Sequence, residues 1–206
     1  MYTLVTLPKV SSNLVHSFDT IPEDQYLKSA FPYRRRTYAT GMIVNRAFYW
    51  DEQPQIFEQS KQLNSYVGGV PRKFENIDAS IKENVCEQII MNAYNQIPQN
   101  NYTVGIHQIR ILADTENQGI PTPEGIHQDG FDYVTVSCIN THNLSGGVSV
   151  LLDAQDHTKI VYEGTLIPGE QIVFSDKSVA HYTSNISPKI PGMAYRDVIV
   201  ATFQSI

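Results

Sequence analysis

Short runs of β-branched and aromatic residues recur along the second half of the chain, separated by Gly, Pro, Asn or Asp. This pattern predicts strands, because branched and aromatic side chains pack well on a pleated surface. The predicted strands are residues 103–112, 133–139, 148–152, 159–162, 171–174 and 197–203. Strands this short and this closely spaced indicate a sandwich, a barrel or a jelly roll rather than a parallel sheet with alternating helices.

Helical spacing is clearest in residues 78–97 of the first half. Ile81, Val85 and Ile89 recur every four residues, so they lie on one face of a helix that an apolar core can bury. Pro98 follows and cannot continue the helix. The pattern therefore predicts one amphipathic helix here.

Two other segments of the first half are less regular. Residues 20–30 are predicted as a short helix, since a Thr can cap them and a Pro suits the first turn. Residues 52–66 are compatible with a helix or an extended chain. No linker or repeat divides the sequence. We expect a single domain, 1–206, mainly β with flanking helices, in which residues 1–100 give helical or irregular support and residues 101–206 form most of the core.

Charge and composition narrow the class of partner. The formal net charge is −6, from 21 Asp and Glu against 15 Lys and Arg, which argues against a nucleic-acid surface. No stretch approaches the roughly 18 apolar residues of a membrane span. The first residues lack the basic start and apolar run of a signal peptide, so the expected compartment is cytoplasmic. Cys86 and Cys138 are then expected to be reduced thiols.

Candidate metal ligands stand out in the segment around His127. His127 and Asp129 are two residues apart, so on an extended chain they share one face. His181 lies near a predicted strand end and is the best second imidazole. Two imidazoles and one carboxylate form the facial triad typical of non-haem Fe(II) oxygenases. The alternative interpretation is that His127 caps a turn.

Arg196 opens the last predicted strand. By strand alternation it shares a face with Val198, Val200 and Thr202, so its guanidinium points into an apolar interior. A buried guanidinium needs an anionic partner, and a bound dicarboxylate would supply one through two parallel hydrogen bonds. The alternative is an ion pair within the protein, to a neighbouring acid such as Asp197 or Glu170.

Together these residues give the sequence its resemblance to a known family. The motif His127-x-Asp129, followed by His181 and Arg196, has the order and rough spacing found in Fe(II)/2-oxoglutarate-dependent dioxygenases. More narrowly, the chain resembles the bacterial family that includes the free L-isoleucine hydroxylases. The resemblance covers roughly residues 30–206, and its matching stretches are 33–38, 105–110, 125–130, 145–147 and 195–203.

The resemblance implies a double-stranded β-helix, or cupin-like jelly roll. It implies Fe(II), 2-oxoglutarate and O2 as cofactor and cosubstrates, with His127, Asp129 and His181 as catalytic metal ligands and Arg196 as the residue that binds 2-oxoglutarate. The implied reaction is hydroxylation of a free L-amino acid, with an aliphatic one favoured. One position departs from this pattern. Many such enzymes have a Ser or Thr two residues after the arginine, on the same 2-oxoglutarate carboxylate that the arginine binds. Here that position is Val198, so a hydroxyl partner must come from another strand.

An amino acid substrate needs a cation for its carboxylate. Arg34, Arg36 and Arg110 are the candidates; Arg34 and Arg36 share a face if their segment is extended. Arg110 lies in the predicted strand before the metal motif. His107 lies in the same strand on the opposite face, and we expect His107 to be structural. The competing interpretation places the Arg triplet of residues 34–36 on the solvated surface.

Two other classes of function fit parts of the pattern. One is a cupin-like metal-binding protein with a different role, such as an isomerase or a sensor. The other is a stress-related binding protein that keeps the fold without catalysis. The first leaves Arg196 without a partner. The complete ligand set weighs against the second, because nothing structural requires all four residues together.

Overall fold

A computed structural model of the chain describes residues 1–53, 56–62 and 66–206. Their strands include all six predicted in the second half and others besides. In chain order they are β1 (Tyr2–Thr6), β2 (Arg34–Val44), β3 (Ala47–Trp50), β4 (Tyr102–Ala113), β5 (Tyr133–His142), β6 (Leu144–Gly146), β7 (Ser149–Asp153), β8 (Ile160–Gly164), β9 (Glu170–Ser175), β10 (Val179–Thr183), β11 (Ile186–Pro188) and β12 (Ala194–Ser205).

The strands form one large sheet and two small ones. The large sheet has the order β1-β9-β5-β12-β4-β2-β3, and its central strand β12 pairs antiparallel with both β4 and β5. The small sheets are β10-β7-β8 and β11-β6. The mainly β, jelly-roll class predicted from the sequence is confirmed. Three strands of the large sheet, β1, β2 and β3, come from residues before 100. From that part of the chain we expected only helical or irregular support.

The helices are α1 (Ser12–Ser17), α2 (Ala79–Val85) and α3 (Met91–Tyr94), with a π-helical turn, Cys86–Ile90, joining the last two. The Asp78 side chain caps α2 by accepting a hydrogen bond from the Ser80 amide at 2.7 Å. The prediction of a helix over 78–97 is thus confirmed, with a π-helical turn inside it.

The predicted helix over 20–30 is wrong. Glu23 forms an isolated bridge to Arg35 beside β2, and the Asp24 carboxylate accepts from both Arg34 and the Tyr26 amide. These contacts to a neighbouring strand hold the segment in turns and extended chain. In residues 52–66, the described part includes a bridge between Phe57 and Arg72, and residues 54–55 and 63–65 lie outside the described residues.

Two apolar clusters lie on opposite faces of the large sheet. On the outer face, Leu14, Phe18, Ile81 and Val85 of the helices pack with strand residues such as Ile199. On the inner face, Val134, Ile172 and Phe174 pack with residues of the small sheet such as Leu151 and Val179. The large sheet is therefore buried on both faces, between helices and a smaller β layer.

Cys86 lies in the π-helical turn and Cys138 in β5 of the large sheet. Cys86 and Cys138 are free thiols, and burial raises the pKa of both to about 11. None of the helices among the described residues has the length and apolar character needed to cross a bilayer.

Candidate metal centre

Backbone pairing brings two histidines face to face. The His127 amide donates to the His181 carbonyl at 3.1 Å, and the His181 amide donates to the His127 carbonyl at 2.8 Å. The two imidazole rings consequently lie side by side, with centroids 4.3 Å apart. Asp129, two residues after His127 on an extended segment, points to the same side.

The three side chains converge on one point. One nitrogen or oxygen atom from each of His127, Asp129 and His181 lies within 4.8 Å of the others. The Asp129 carboxylate is 3.6 Å from His127 Nε2 and 3.5 Å from His181 Nε2. His127 Nδ1 donates to the Gly125 carbonyl at 2.9 Å, which leaves Nε2 facing the cluster. Two imidazoles and one carboxylate at this spacing suit an octahedral divalent ion with open positions.

Burial and mutual charge interactions shift the pKa values of the three side chains. Burial lowers the pKa of His127, but the hydrogen bond and charge of Asp129, together with Glu124, outweigh burial and raise it to about 9. Burial raises the pKa of Asp129, but its bond to His127 and the two imidazoles lower it to about 2. The pKa of His181 falls to about 4, chiefly because of burial. Asp129 is therefore ionised and His181 neutral at pH 7.

Two neighbouring residues hold Asp129 in place. The Asp176 carboxylate accepts hydrogen bonds from the amides of Asp129, Gly130 and Phe131, at 3.1, 2.7 and 3.1 Å. Gln59 donates from Nε2 to Asp129 Oδ1 at 3.0 Å. Groups of this kind orient a metal ligand without touching the metal.

Arg196 lies on the inner face of β12, as its spacing predicts. Val198, Val200 and Thr202 line the same cavity as Arg196 and the three metal-ligand candidates. The Arg196 side chain is buried, its Nε has no hydrogen-bond partner, and its nearest polar contact is Ser149 Oγ, 3.5 Å from one terminal nitrogen. No carboxylate in the described part of the chain pairs with it. The two ion-pair partners considered from the sequence are engaged elsewhere, Asp197 with Arg110 and Glu170 with the Ile167 amide.

The unpaired guanidinium fits an external dicarboxylate. A buried cation without an anion is costly, and a carboxylate would satisfy it. Val198 has no hydroxyl, but Ser149 on β7, a different strand, places one beside the Arg196 guanidinium. Gly147 lies beside the Arg196 side chain, and its φ of 69° favours glycine because L side chains rarely adopt that conformation.

Arg34 and Arg36 both line the cavity. The two differ in pairing, since Arg34 Nε is 2.7 Å from the buried Asp24 carboxylate whereas Arg36 contacts the His107 ring, 2.9 Å from Nδ1. Burial and the charge of Arg34 lower the pKa of Arg36 to about 9. His107, expected to be structural, lines the cavity too.

The structure does not bring Arg110 to the cavity. Its guanidinium bonds both oxygens of Asp197, at 2.6 and 2.8 Å, and also Asp19 at 2.8 Å. These contacts lie on the outer face of the sheet, so the expected face of β4 was reversed. We replace the substrate role expected for Arg110 with a structural one.

Several cavity residues escaped the sequence reasoning. Arg72 and Gln59 come from the irregular segment before α2, and Ser149 comes from a strand whose predicted role was only to build the sheet. Glu124 also lines the cavity, and its carboxylate lies 3.4 Å from His127 Nε2. Only Glu124 carried a sequence signal, because it lies three residues before His127.

Comparison with known proteins gives a consistent picture. The family model described as 2OG-Fe dioxygenase matches residues 15–202. The L-isoleucine-4-hydroxylase of Bacillus thuringiensis is 26% identical over 182 residues, which cover 82% of this chain and 74% of that protein. The 3(1)-hydroxy-L-isoleucine 4-dioxygenase of Pantoea ananatis (strain AJ13355) is 27% identical over 158 residues, 72% of this chain but less than two thirds (63%) of that protein.

Solved structures share the fold. A crystal structure of a bsmA homologue from Methylobium petroleophilum PM1 superposes with a TM-score of 0.79 at 25% identity, covering 94% of this chain and 80% of that one. The crystal structure of IDO from Bacillus thuringiensis superposes with a TM-score of 0.67 at 19% identity, covering 94% of both chains.

Proposed function

Since this chain belongs to the 2OG-Fe dioxygenases, enzymes that use Fe(II), 2-oxoglutarate and O2, we propose that it hydroxylates an aliphatic carbon of a free L-amino acid. The observation that carries the proposal is one cavity that contains both a His-Asp-His cluster and a buried arginine without a carboxylate partner. The two relatives named as isoleucine oxygenases support an amino acid as the substrate.

In this proposal His127, Asp129 and His181 hold the iron. When bound, Fe(II) and 2-oxoglutarate supply the oxidising chemistry: one atom of O2 enters the substrate as hydroxyl, the other enters succinate, and CO2 leaves. The protein's own part is to present an ionised carboxylate and two imidazoles, of which His181 is neutral at pH 7 and His127 gives up its proton when the metal binds. Asp176 and Gln59 keep that carboxylate oriented through its backbone and its Oδ1.

Arg196 is the proposed partner of the distal carboxylate of 2-oxoglutarate. The guanidinium offers two parallel N–H groups, which suit a carboxylate better than a point charge does. Ser149 Oγ lies beside the same nitrogen. Val198 and Val200 line the cavity nearby and exclude water from the bonded pair, which strengthens each charge-assisted bond.

Arg36 is the proposed partner of the substrate carboxylate, with Arg34 beside it. Arg36 has no acidic partner in the described residues, and its cavity position leaves it open to a ligand. Arg34 lines the same cavity, but its Nε already pairs with the Asp24 carboxylate. Glu124 can accept the substrate ammonium on the side of His127.

The test is a screen of the twenty L-amino acids for succinate release from 2-oxoglutarate, with Fe(II) and air. We expect one or a few amino acids to stimulate succinate release, and the matching hydroxylated product to appear by mass spectrometry. Asp129→Ala should reduce stimulated release to background, and Arg196→Gln should raise the 2-oxoglutarate requirement roughly 30-fold or more, since losing one partner of a buried charge pair costs about 2–5 kcal/mol.

The control is His157→Ala, which removes an exposed histidine far from the cavity lining and should change neither quantity. Fe(II) binding without succinate release from any amino acid would contradict the proposal. That outcome would favour a cupin-like sensor or isomerase instead.

A further inference from the structure

Two cavity arginines other than Arg196 lack an acidic partner. Arg36 and Arg72 are both buried, and within the described residues neither forms an ion pair. Arg72 donates to Gln59 Oε1 at 3.0 Å, and its Nε has no partner. Arg34 differs, because the Asp24 carboxylate neutralises it at 2.7 Å.

Aromatic rings surround the two unpaired guanidinium groups. The Cζ atoms of Arg36 and Arg72 lie 5.1 and 4.5 Å from the centre of the Phe57 ring, and Arg36 also lies 4.6 Å from that of Phe74. Cation–π contacts stabilise a cation without cancelling its charge. His107 is no counter-ion either, since burial and the charge of Arg36 hold its pKa well below the usual value.

On the metal side of the cavity, the charges that would meet at the metal and 2-oxoglutarate balance one another. The iron and Arg196 supply three positive charges, and Asp129 and the 2-oxoglutarate dianion supply three negative ones. Asp176 adds a carboxylate behind Asp129, but it is bonded to three backbone amides and does not line the cavity that Arg36 and Arg72 share.

The substrate side is not balanced. Glu124 is the one further carboxylate among the described cavity residues, and it opposes two cations, Arg36 and Arg72. A zwitterionic amino acid adds no net charge, so one buried positive charge would remain. An uncompensated charge in a low-dielectric cavity is costly, and a ligand of charge −1 would remove that cost.

We propose that Arg36 and Arg72 form a second anion site, separate from Arg196, and that the amino acid substrate carries an anionic side chain in addition to its α-carboxylate. The inference rests on the proposed hydroxylase function and narrows its substrate class. One arginine then binds the α-carboxylate, the other binds the side-chain anion, and Glu124 faces the ammonium group.

The experiment compares matched ligands with anionic and with neutral side chains. Protein loaded with redox-inert Zn(II) and 2-oxoglutarate is titrated calorimetrically with L-aspartate against L-asparagine, L-glutamate against L-glutamine, and L-phosphoserine against L-serine. In at least one pair we expect the acid to bind about tenfold tighter or more, as a buried charge pair predicts. The same acid should stimulate succinate release by the iron-loaded enzyme more than its neutral counterpart does.

Variants assign the preference to the two arginines. Arg36→Gln and Arg72→Gln should each remove the acid-over-amide preference, and Arg46→Gln, which changes an exposed arginine, should preserve it. A preference that survives in both cavity variants would overturn the anion site. Since neither arginine has an acid to leave unpaired, both variants should fold, which thermal unfolding checks.

The remaining outcomes separate this inference from its premise. Equal or tighter binding of the neutral ligands, with succinate release stimulated by a neutral amino acid, would overturn the anionic side chain and leave the hydroxylase function standing. Failure of every amino acid to bind and to stimulate succinate release would overturn both.

Discussion

The two faces of the large sheet use the same strands for different purposes. On β12, Asp197 and Ile199 point to the helices, whereas Arg196 and Val198 point to the cavity. Both faces bury charged groups, but among residues 1–53, 56–62 and 66–206 Arg110 on the outer face has carboxylates on two sides and Arg196 on the inner face has none. The protein thus neutralises the outer guanidinium itself, and we propose that the inner one is left for a ligand.

The degree of burial sharpens this distinction. Arg35, on the outer face, also has a buried Nε without a hydrogen-bond partner, but the residue as a whole is partly exposed. Arg72 and Arg196 are 2% exposed, so solvent cannot take the place of a partner. Unpaired charge together with near-complete burial is what distinguishes the cavity.

The comparison predicts opposite effects of one substitution on the two faces. Arg110→Met leaves Asp197, which is fully buried, without its partner, and should lower the free energy of unfolding by about 3–5 kcal/mol. Arg196→Met removes an unpaired buried cation and should leave the free energy of unfolding of the ligand-free protein unchanged or higher. Urea unfolding of the two variants measures both values.

The double variant Arg110→Met with Asp197→Leu is the control. Removing both charges should recover most of the stability lost in Arg110→Met. If Arg196→Met were as destabilising as Arg110→Met, the claim that the protein leaves the inner arginine unneutralised would be wrong.

Strand parity explains which site residues the sequence could predict. Alternation states which residues share a face but not which face meets the cavity, and β4 is apolar on both sides, with Ile106 outward and Ile109 inward. Arg110 and His107 do lie on opposite faces of β4, as predicted. Arg110 was expected at the cavity and His107 away from it, and the structure shows the reverse. Arg196 escaped this error because Val198 and Val200, which share its face, indicated an apolar interior.

Other residues had no local signal at all. Gln59 and Arg72 reach the cavity because Phe57 and Arg72 pair outside any regular strand. That pairing depends on the tertiary fold, and a sequence pattern of period two or four does not contain it. The three metal-ligand candidates were predictable because His127 and Asp129 are close in sequence and His181 lies near the end of a predicted strand.

The inner face also predicts a pH dependence of metal binding. In the metal-free protein the pKa of His127 is about 9, above its ordinary 6.5, so at pH 7 the imidazole is protonated against Asp129. Iron requires the neutral form, so binding should release one proton, and affinity should rise roughly tenfold per pH unit, about 100-fold from pH 6 to pH 8. Anaerobic Fe(II) titration against a chelator at each pH measures this rise.

The same pair predicts the sign of the stability change without metal. Because the folded-state pKa of His127 is raised, its contribution to stability is fully present below about pH 6.5 and is lost as pH rises through 9. Metal affinity and metal-free stability should thus change in opposite directions across this range. Flat iron affinity between pH 6 and pH 8 would contradict the protonated His127–Asp129 pair.

The smallest expected effect compares one glutamine on each side of the sheet. Gln59 donates to Asp129 at 3.0 Å on the cavity side, and Gln108 donates to Ser17 at 2.8 Å on the outer face.

Gln59→Leu frees the carboxylate to rotate and should weaken Fe(II) binding about tenfold, as loss of a group that orients a metal ligand does. Gln108→Leu should leave Fe(II) binding unchanged and lower the free energy of unfolding by about 1 kcal/mol. Anaerobic Fe(II) titration and urea unfolding of both variants give the four values. Equal losses of Fe(II) affinity in the two variants would mean that Gln59 affects the metal only through general stability. Gln59 would then have no role in orienting Asp129 beyond that of Gln108 on the other side of the sheet.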